Sequence, residues 1–214
     1  MSHLAFPVKI SAGAFILLAF CITSANSATV SEGFENGTKT SYTNGNVNLS
    51  TGSWNFTDAV IGDLSSDRKS GAKSARIRNN GKVSMRFDRT TGAGSITIKH
   101  AKFGNDANTS WGVWCSTNGG SSYSKIGSTV NTTSTTLQTA TFTPNISGNV
   151  RCEVRKTDGT ANRTNIDDIV ISDYGASGST GSTSATLPAG TVPFFDNINN
   201  PVSGLALGSP ADVT

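Results

Sequence analysis

Two pairs of carboxylates stand far apart in this chain, Glu32 and Glu35 in SEGFE and Asp167 and Asp168 in NIDDI. If the first and last strands of one domain lie side by side, these four side chains can converge on a single hard cation. Calcium takes roughly six to eight oxygen ligands, backbone carbonyls among them, so the loop Lys69-Ser-Gly-Ala-Lys-Ser74 could complete a structural calcium shell. The competing reading makes them end-of-strand acids, solvated or bonded to backbone amides. No nucleophile or acid-base partner stands near them in the sequence, so the chemistry they offer is structural.

Aromatic and basic residues offer binding instead of catalysis. Trp114 is out of phase with Val113 and Cys115, so it faces outward while Trp111 faces in. Arg151, Glu153 and Arg155 alternate outward on another strand, and Trp114, Arg151 and Arg155 together make a candidate ligand face. An exposed Trp is a stacking platform for a sugar ring or a base, so the partners this face allows are a glycan or a nucleic acid. The competing reading has Trp114 covered by a tether or a partner domain. A nucleic-acid reading would also draw on Arg68, Arg76 and Arg78, but the formal net charge of +3 gives it little long-range push. His100 sits between Lys99 and Lys102 without a Ser-His-Asp order or a second metal histidine, and no catalytic residue is assigned.

The amino terminus carries Lys9, an apolar run from Ile10 to Ile22 and the small residues Ala25-Asn26-Ser27. That order reads as a secretory signal peptide over residues 1–27, and the run is too short to stay in a bilayer after cleavage. The mature chain is expected to be secreted, periplasmic or on the cell surface. Two cysteines then remain, Cys115 and Cys152, each on the core side of an alternating strand. They are either buried thiols used as small apolar residues or one disulfide between neighbouring strands. Two cysteines without a nearby histidine lack the ligand count zinc requires.

Residues 28–174 must position these groups. They are rich in Gly, Ser, Thr and Asn and show short period-two runs separated by turn residues. The runs are 47–49, 54–56, 75–78, 82–87, 95–101, 110–116, 123–126, 137–143, 148–156 and 168–171. Asn44-Gly45, Asn80-Gly81, Gly92-Ala-Gly94 and Asn118-Gly-Gly120 read as the turns. The spacing predicts an all-β, jelly-roll-like two-sheet antiparallel β-sandwich. Residues 175–190 form a Gly/Ser/Thr linker, and 191–214 read as the incomplete start of a C-terminal domain.

The segments EGFENGTKTSY, GSWNFTDAVIG, DRKSGAKSARIRNNGKVSMRFD, HAKFGNDANTSWGVWCSTNGGSSYSKIG and RTNIDDIVISDY together resemble a known module. It is the N-terminal β-sandwich of secreted Bacteroidetes DNA/RNA non-specific endonucleases, and the resemblance covers Glu32 to Tyr174. It implies a non-catalytic accessory or binding module whose nuclease domain follows the linker, and GLALGSPADVT looks like the beginning of that domain. Such nucleases use an Asp-Arg-Gly-His motif with a magnesium-holding asparagine. Here Asp67-Arg68 is followed by Lys69 and Asp88-Arg89 by Thr90, so the activity is not carried over. Cys115 and Cys152 stand where aromatic residues are expected in relatives, which implies a paired replacement by a disulfide. The alternative function is a free-standing carbohydrate-binding jelly-roll module or a surface adhesin.

Overall fold

β-branched and aromatic residues at every second position give each strand one apolar face, and a second sheet is the economical cover for it. The structure, a computed structural model, describes residues 29–176. The predicted signal peptide, most of the linker and the segment 191–214 lie outside the described residues. Ten strands form: β1 (Val30–Glu32), β2 (Gly45–Leu49), β3 (Gly52–Gly62), β4 (Ser74–Met85), β5 (Ile96–Lys102), β6 (Thr109–Ser116), β7 (Ser124–Thr132), β8 (Gln138–Phe142), β9 (Arg151–Lys156) and β10 (Thr164–Ile171). Among the described residues no helix is long and apolar enough to cross a membrane.

All pairings are antiparallel, in the order β7-β6-β9-β4-β10-β5-β8, with β1 on β10 and β2 on β3. Strand β4 joins the two layers: Lys82 to Ser84 pair with β9, whereas Ala75 to Ile77 pair with β10. Strand β3 follows β4 along both halves. The β3–β4 hairpin therefore passes from a layer holding β7, β6 and β9 into one holding β10, β5 and β8. Trp54, Met85, Trp111, Val113 and Val154 of the first layer pack against Ile96, Ile98, Ile169 and Ile171 of the second. This is the two-sheet antiparallel sandwich that the period-two pattern predicts. A cavity of ≈ 10 Å³ lies between the layers, room for about one water.

Several boundaries differ from the sequence reading: the runs 54–56, 123–126 and 168–171 cover only parts of the longer strands β3, β7 and β10. Runs 75–78 and 82–87 belong to one bent strand, and Asn80-Gly81 is a bulge in it instead of a hairpin turn. The register jumps there from Thr57↔Lys82 to Ala59↔Ile77, with Asp58 at φ 45° and Asn79 at φ 52°. The Asp58 carboxylate accepts bonds from Arg78 Nε (3.2 Å) and Asn79 Nδ2 (3.3 Å), which holds the bulge. Gly81 is required because a Cβ would lie 2.6 Å from the carbonyl oxygens of both Thr57 and Asp58. Strand β1 is missing from the predicted runs because its three residues are too few to show a period.

Thr132 ties the first layer to the second. Its fully buried hydroxyl accepts the Trp111 indole N–H at 3.0 Å and meets His100 Nδ1 at 2.8 Å. Burial holds the His100 pKa below its ordinary value, consistent with a neutral ring bonded to a hydroxyl. The single histidine of the described domain is thus a core residue. Thr132→Val should cost about 1–3 kcal/mol because it strands two buried polar groups, a loss to be read by thermal unfolding. An unchanged Tm would show that the trio contributes nothing.

Candidate functional site

Register across the first layer builds a polar row. Lys125 pairs with Trp114, Trp114 with Glu153, Glu153 with Ser84 and Ser84 with Asn55. In antiparallel sheets directly opposed residues share a face, so these side chains belong to the outer surface. Gly112 shapes the Trp114 platform: a Cβ there would lie 3.2 Å from Cζ3 and 3.4 Å from Cη2 of the indole. The indole therefore rests over Gly112, half-buried, with the Arg155 guanidinium 4.8 Å and the Lys125 ammonium 5.7 Å from its ring centre. Arg155 also lies 5.5 Å from the ring centre of Tyr123 and so connects the two aromatics.

The structure places Trp114, Arg151 and Arg155 on the outward side, as predicted, but it covers Glu153. That carboxylate is 1% exposed and receives Lys82 Nζ (3.0 Å) and Ser84 Oγ (2.6 Å) on Oε2 and the Arg155 guanidinium on Oε1. Period alone shows which side a residue is on; long cationic neighbours decide whether water reaches it. Arg151 Nε bonds Asp88 at 2.6 Å, which raises the arginine pKa and lowers that of the aspartate. Tyr123 has a raised pKa, first from burial and then from the Glu153 charge, opposed by Arg151, Arg86 and Arg155. Tyr123, Arg86 and Lys82 were not legible as site residues, since they join the face only through the β6–β7 turn and the end of β4.

Between the sheet ends lies the acidic set. Asp167 and Asp168 would point to opposite faces of a regular strand, but β10 bulges here, with Asp168 at φ 43°. A Cβ on Gly33 would lie 3.4 Å from Asp168 Oδ1, 3.9 Å from Asp167 Oδ1 and 3.9 Å from Glu35 Cγ, so three of the four residues gather there. The loop Lys69–Ser74 meets them through its amides. Ser70 N–H donates to Asp167 at 2.6 Å, Ala72 N–H to Glu35 at 3.1 Å and Lys73 N–H to Glu35 at 3.3 Å. Lys99 Nζ lies 2.8 Å from Asp168.

Glu32 is not brought into this group. Its carboxylate takes the Phe34 N–H at 2.7 Å and the Thr51 hydroxyl at 2.5 Å, and Thr51 in turn accepts the Trp54 indole N–H at 2.9 Å. Phe34 is fully buried at φ 63°, a conformation costly for a bulky residue, and Glu32 is what holds its amide. Among the described residues no group of three or more His, Cys, Asp or Glu is arranged to hold a metal ion. Structural calcium is accordingly a proposal resting on the sequence and on the closeness of Glu35, Asp167 and Asp168. Asp167, fully buried, has its pKa raised to about 6. Burial is the main cause, the Ser70 and Asp168 amides work against it, and the Asp168 and Glu35 charges add to it.

Cys115 and Cys152 are opposed in the β6–β9 register, with Cα atoms 4.1 Å apart, and form a disulfide. The arginines of the nucleic-acid reading fall into separate places, most with their own acid: Arg76 with Asp67, Arg78 with Asp58, Arg151 with Asp88 and Arg155 with Glu153. Arg68 uses its backbone N–H on Asn165. Spread over β4, β9 and the loop before β4, these five arginines do not line one continuous basic stripe. A further open hollow of ≈ 450 Å³ on the second layer is lined by Ser31, Thr97, Lys99, Thr139, Asp168 and Val170 among others, without an aromatic platform.

No protein-family model and no curated protein sequence matches the chain. Among solved structures it is similar to the K2 cleaved adhesin domain of Lys-gingipain, with a TM-score of 0.53 and 12% identity over 67% of this chain and 99% of that one. The CBM22-1 xylan-binding domain from Paenibacillus barcinonensis Xyn10C superposes with a TM-score of 0.47 and 14% identity, covering 69% of this chain and 95% of that one. TmCBM61, solved in complex with beta-1,4-galactotriose, gives a TM-score of 0.45 and 13% identity over 66% and 94%. At such identities the likeness to the adhesin domain concerns the sandwich fold alone.

Proposed function

We propose that residues 28–174 are a non-catalytic binding module of an exported or cell-surface protein, and that its ligand is a carbohydrate. The observation that carries this reading is Trp114, a half-buried indole laid over Gly112 on the outer sheet face, with Tyr123 nearby and Arg155 between them. A rigid strand, not a loop, fixes the platform, so little ordering entropy is lost when a sugar ring stacks on it. The packed interior leaves the outer faces for a ligand, and the hollow on the second layer has no ring to stack against. The sandwich shared with an adhesin domain is compatible with this role. Attachment to an endonuclease is an expectation of the sequence resemblance, and none of the structural observations bears on it.

A glycan array probed with the full chain and with Trp114→Ala tests the proposal. The wild type should retain at least one glycan class, and Trp114→Ala should weaken it about tenfold or more, a loss of ~1.4 kcal/mol, with Tm unchanged. No retention by the wild type, or equal retention by both proteins, would sink it.

A further inference from the structure

We propose that the Trp114 face selects glycans bearing an anionic group, the carboxylate of a uronic acid or a sulfate ester; this rests on the carbohydrate reading above. The face holds the cations Lys82, Arg86, Lys125, Arg151 and Arg155 against only two carboxylates, Glu153 and Asp88. Glu153 is buried and fully engaged by Lys82, Ser84 and Arg155, so its charge is spent inside the face. What reaches solvent is predominantly positive.

The donors converge on one spot. A Cβ on Gly120 would lie 3.1 Å from the Tyr123 hydroxyl, 3.2 Å from Arg151 Cδ and 3.4 Å from Arg151 Nη1. Gly120 has φ 87°, so the turn needs glycine there, and its lack of a side chain keeps the hydroxyl and the guanidinium uncovered. Asp88 takes Nε of Arg151, while Nη1 and the Tyr123 hydroxyl both flank Gly120. Exposed Arg86 acts on the same tyrosine from the end of β4, and Arg155 reaches its ring from β9. Two or three guanidiniums and a phenol beside an indole platform offer forked donors for planar carboxylate or sulfate oxygens, with a ring surface for the sugar that carries them. The other aromatic and cationic cluster lacks this excess. Tyr42 stacks with Arg78 at 3.9 Å, but Arg78 and its neighbour Arg76 are matched by Asp58 and Asp67.

The test uses the full chain and matched probes: oligogalacturonate, its methyl ester, a sulfated galactan oligosaccharide, neutral galactan and single-stranded DNA. Binding is measured at about 50 and 200 mM salt. The acidic sugars should bind roughly tenfold tighter than the ester and the neutral sugar, with the preference shrinking as salt rises. Arg86→Gln should cut the preference for acidic over neutral sugars severalfold, and Trp114→Ala should weaken all sugars. Equal or tighter binding of neutral sugars overturns this selectivity and leaves the carbohydrate reading standing. Binding of no sugar overturns both, as does DNA binding alone. Preference for carboxylate over sulfate, or the reverse, supports the proposal and names the group.

Discussion

A Cys115→Ala/Cys152→Ala variant is expected to melt roughly 10 °C below the wild type. The two residues are register partners on β6 and β9 and lie 37 residues apart in sequence, so the bond closes a loop containing all of β7 and β8. Closing a loop of that length removes about 4 kcal/mol of chain entropy from the unfolded state in the loop-closure model. For a domain of this size each kcal/mol moves Tm by about 2–4 °C. Strand β7 depends most on this tie, since it lies at one end of the strand order and its backbone ladder pairs with β6 alone. Thermal unfolding of the variant, and of the wild type in reductant, checks the value. A difference under about 2 °C would mean that register and packing alone hold β6 and β9 together.

The second large effect is the loss of the Asp167 contribution to stability as pH rises from about 4 to 7 in the absence of divalent cations. Asp167 has a folded pKa of about 6 against an ordinary 3.8, so the fold binds its proton more tightly than the unfolded chain does. Its favourable contribution is present in full below pH 3.8 and is lost as pH rises through 6. A shift of about two units corresponds to roughly 3 kcal/mol. His100 works the other way, since its lowered pKa favours the fold above its unfolded value and loses that contribution as pH falls through the folded one. Asp158, lowered to about 2, acts only at lower pH. Asp167→Asn isolates the effect: its stability relative to wild type should improve steadily across the window, as denaturant melts would show. A constant difference would mean that Asp167 is charged throughout. Calcium added at pH 7 tests the structural ion, because a cation bound to the folded state raises Tm by mass action. A rise in wild type that Asp167→Asn lacks supports the ion, and no rise in either removes it.

Much of the fold was legible because alternation is local. Val113 and Cys115 face in and Trp114 faces out by period alone, and the paired cysteines needed only two strands with matching phase. The fate of Glu153 was not legible. Lys82 and Ser84, which cover it, are 71 and 69 residues away, and their arrival depends on β4 lying beside β9. The continuity of β4 was hidden for a related reason: Asn80-Gly81 suits a turn and a bulge equally, and the choice is made by the β3 carbonyls crowding Gly81. Asp167 and Asp168 stand out in the sequence as adjacent acids. That they share a site with Glu35, but not with Glu32, follows from the β10 bulge and from the demand of Phe34 on Glu32.

Stacking of a ligand on Trp114 can be read directly from the tryptophan indoles. The chain has three tryptophans. Trp54 and Trp111 are buried with their N–H groups bonded to Thr51 and Thr132, so their indole resonances should be insensitive to anything docking outside. Titrating a glycan retained on the array into nitrogen-15-labelled protein should shift the Trp114 indole signal strongly, along with the amides of Gly112 and Tyr123, and leave the other two indoles in place. A saturating titration that leaves the Trp114 signal unmoved while amides around Lys99 and Thr139 shift would place the ligand on the opposite layer and contradict the account.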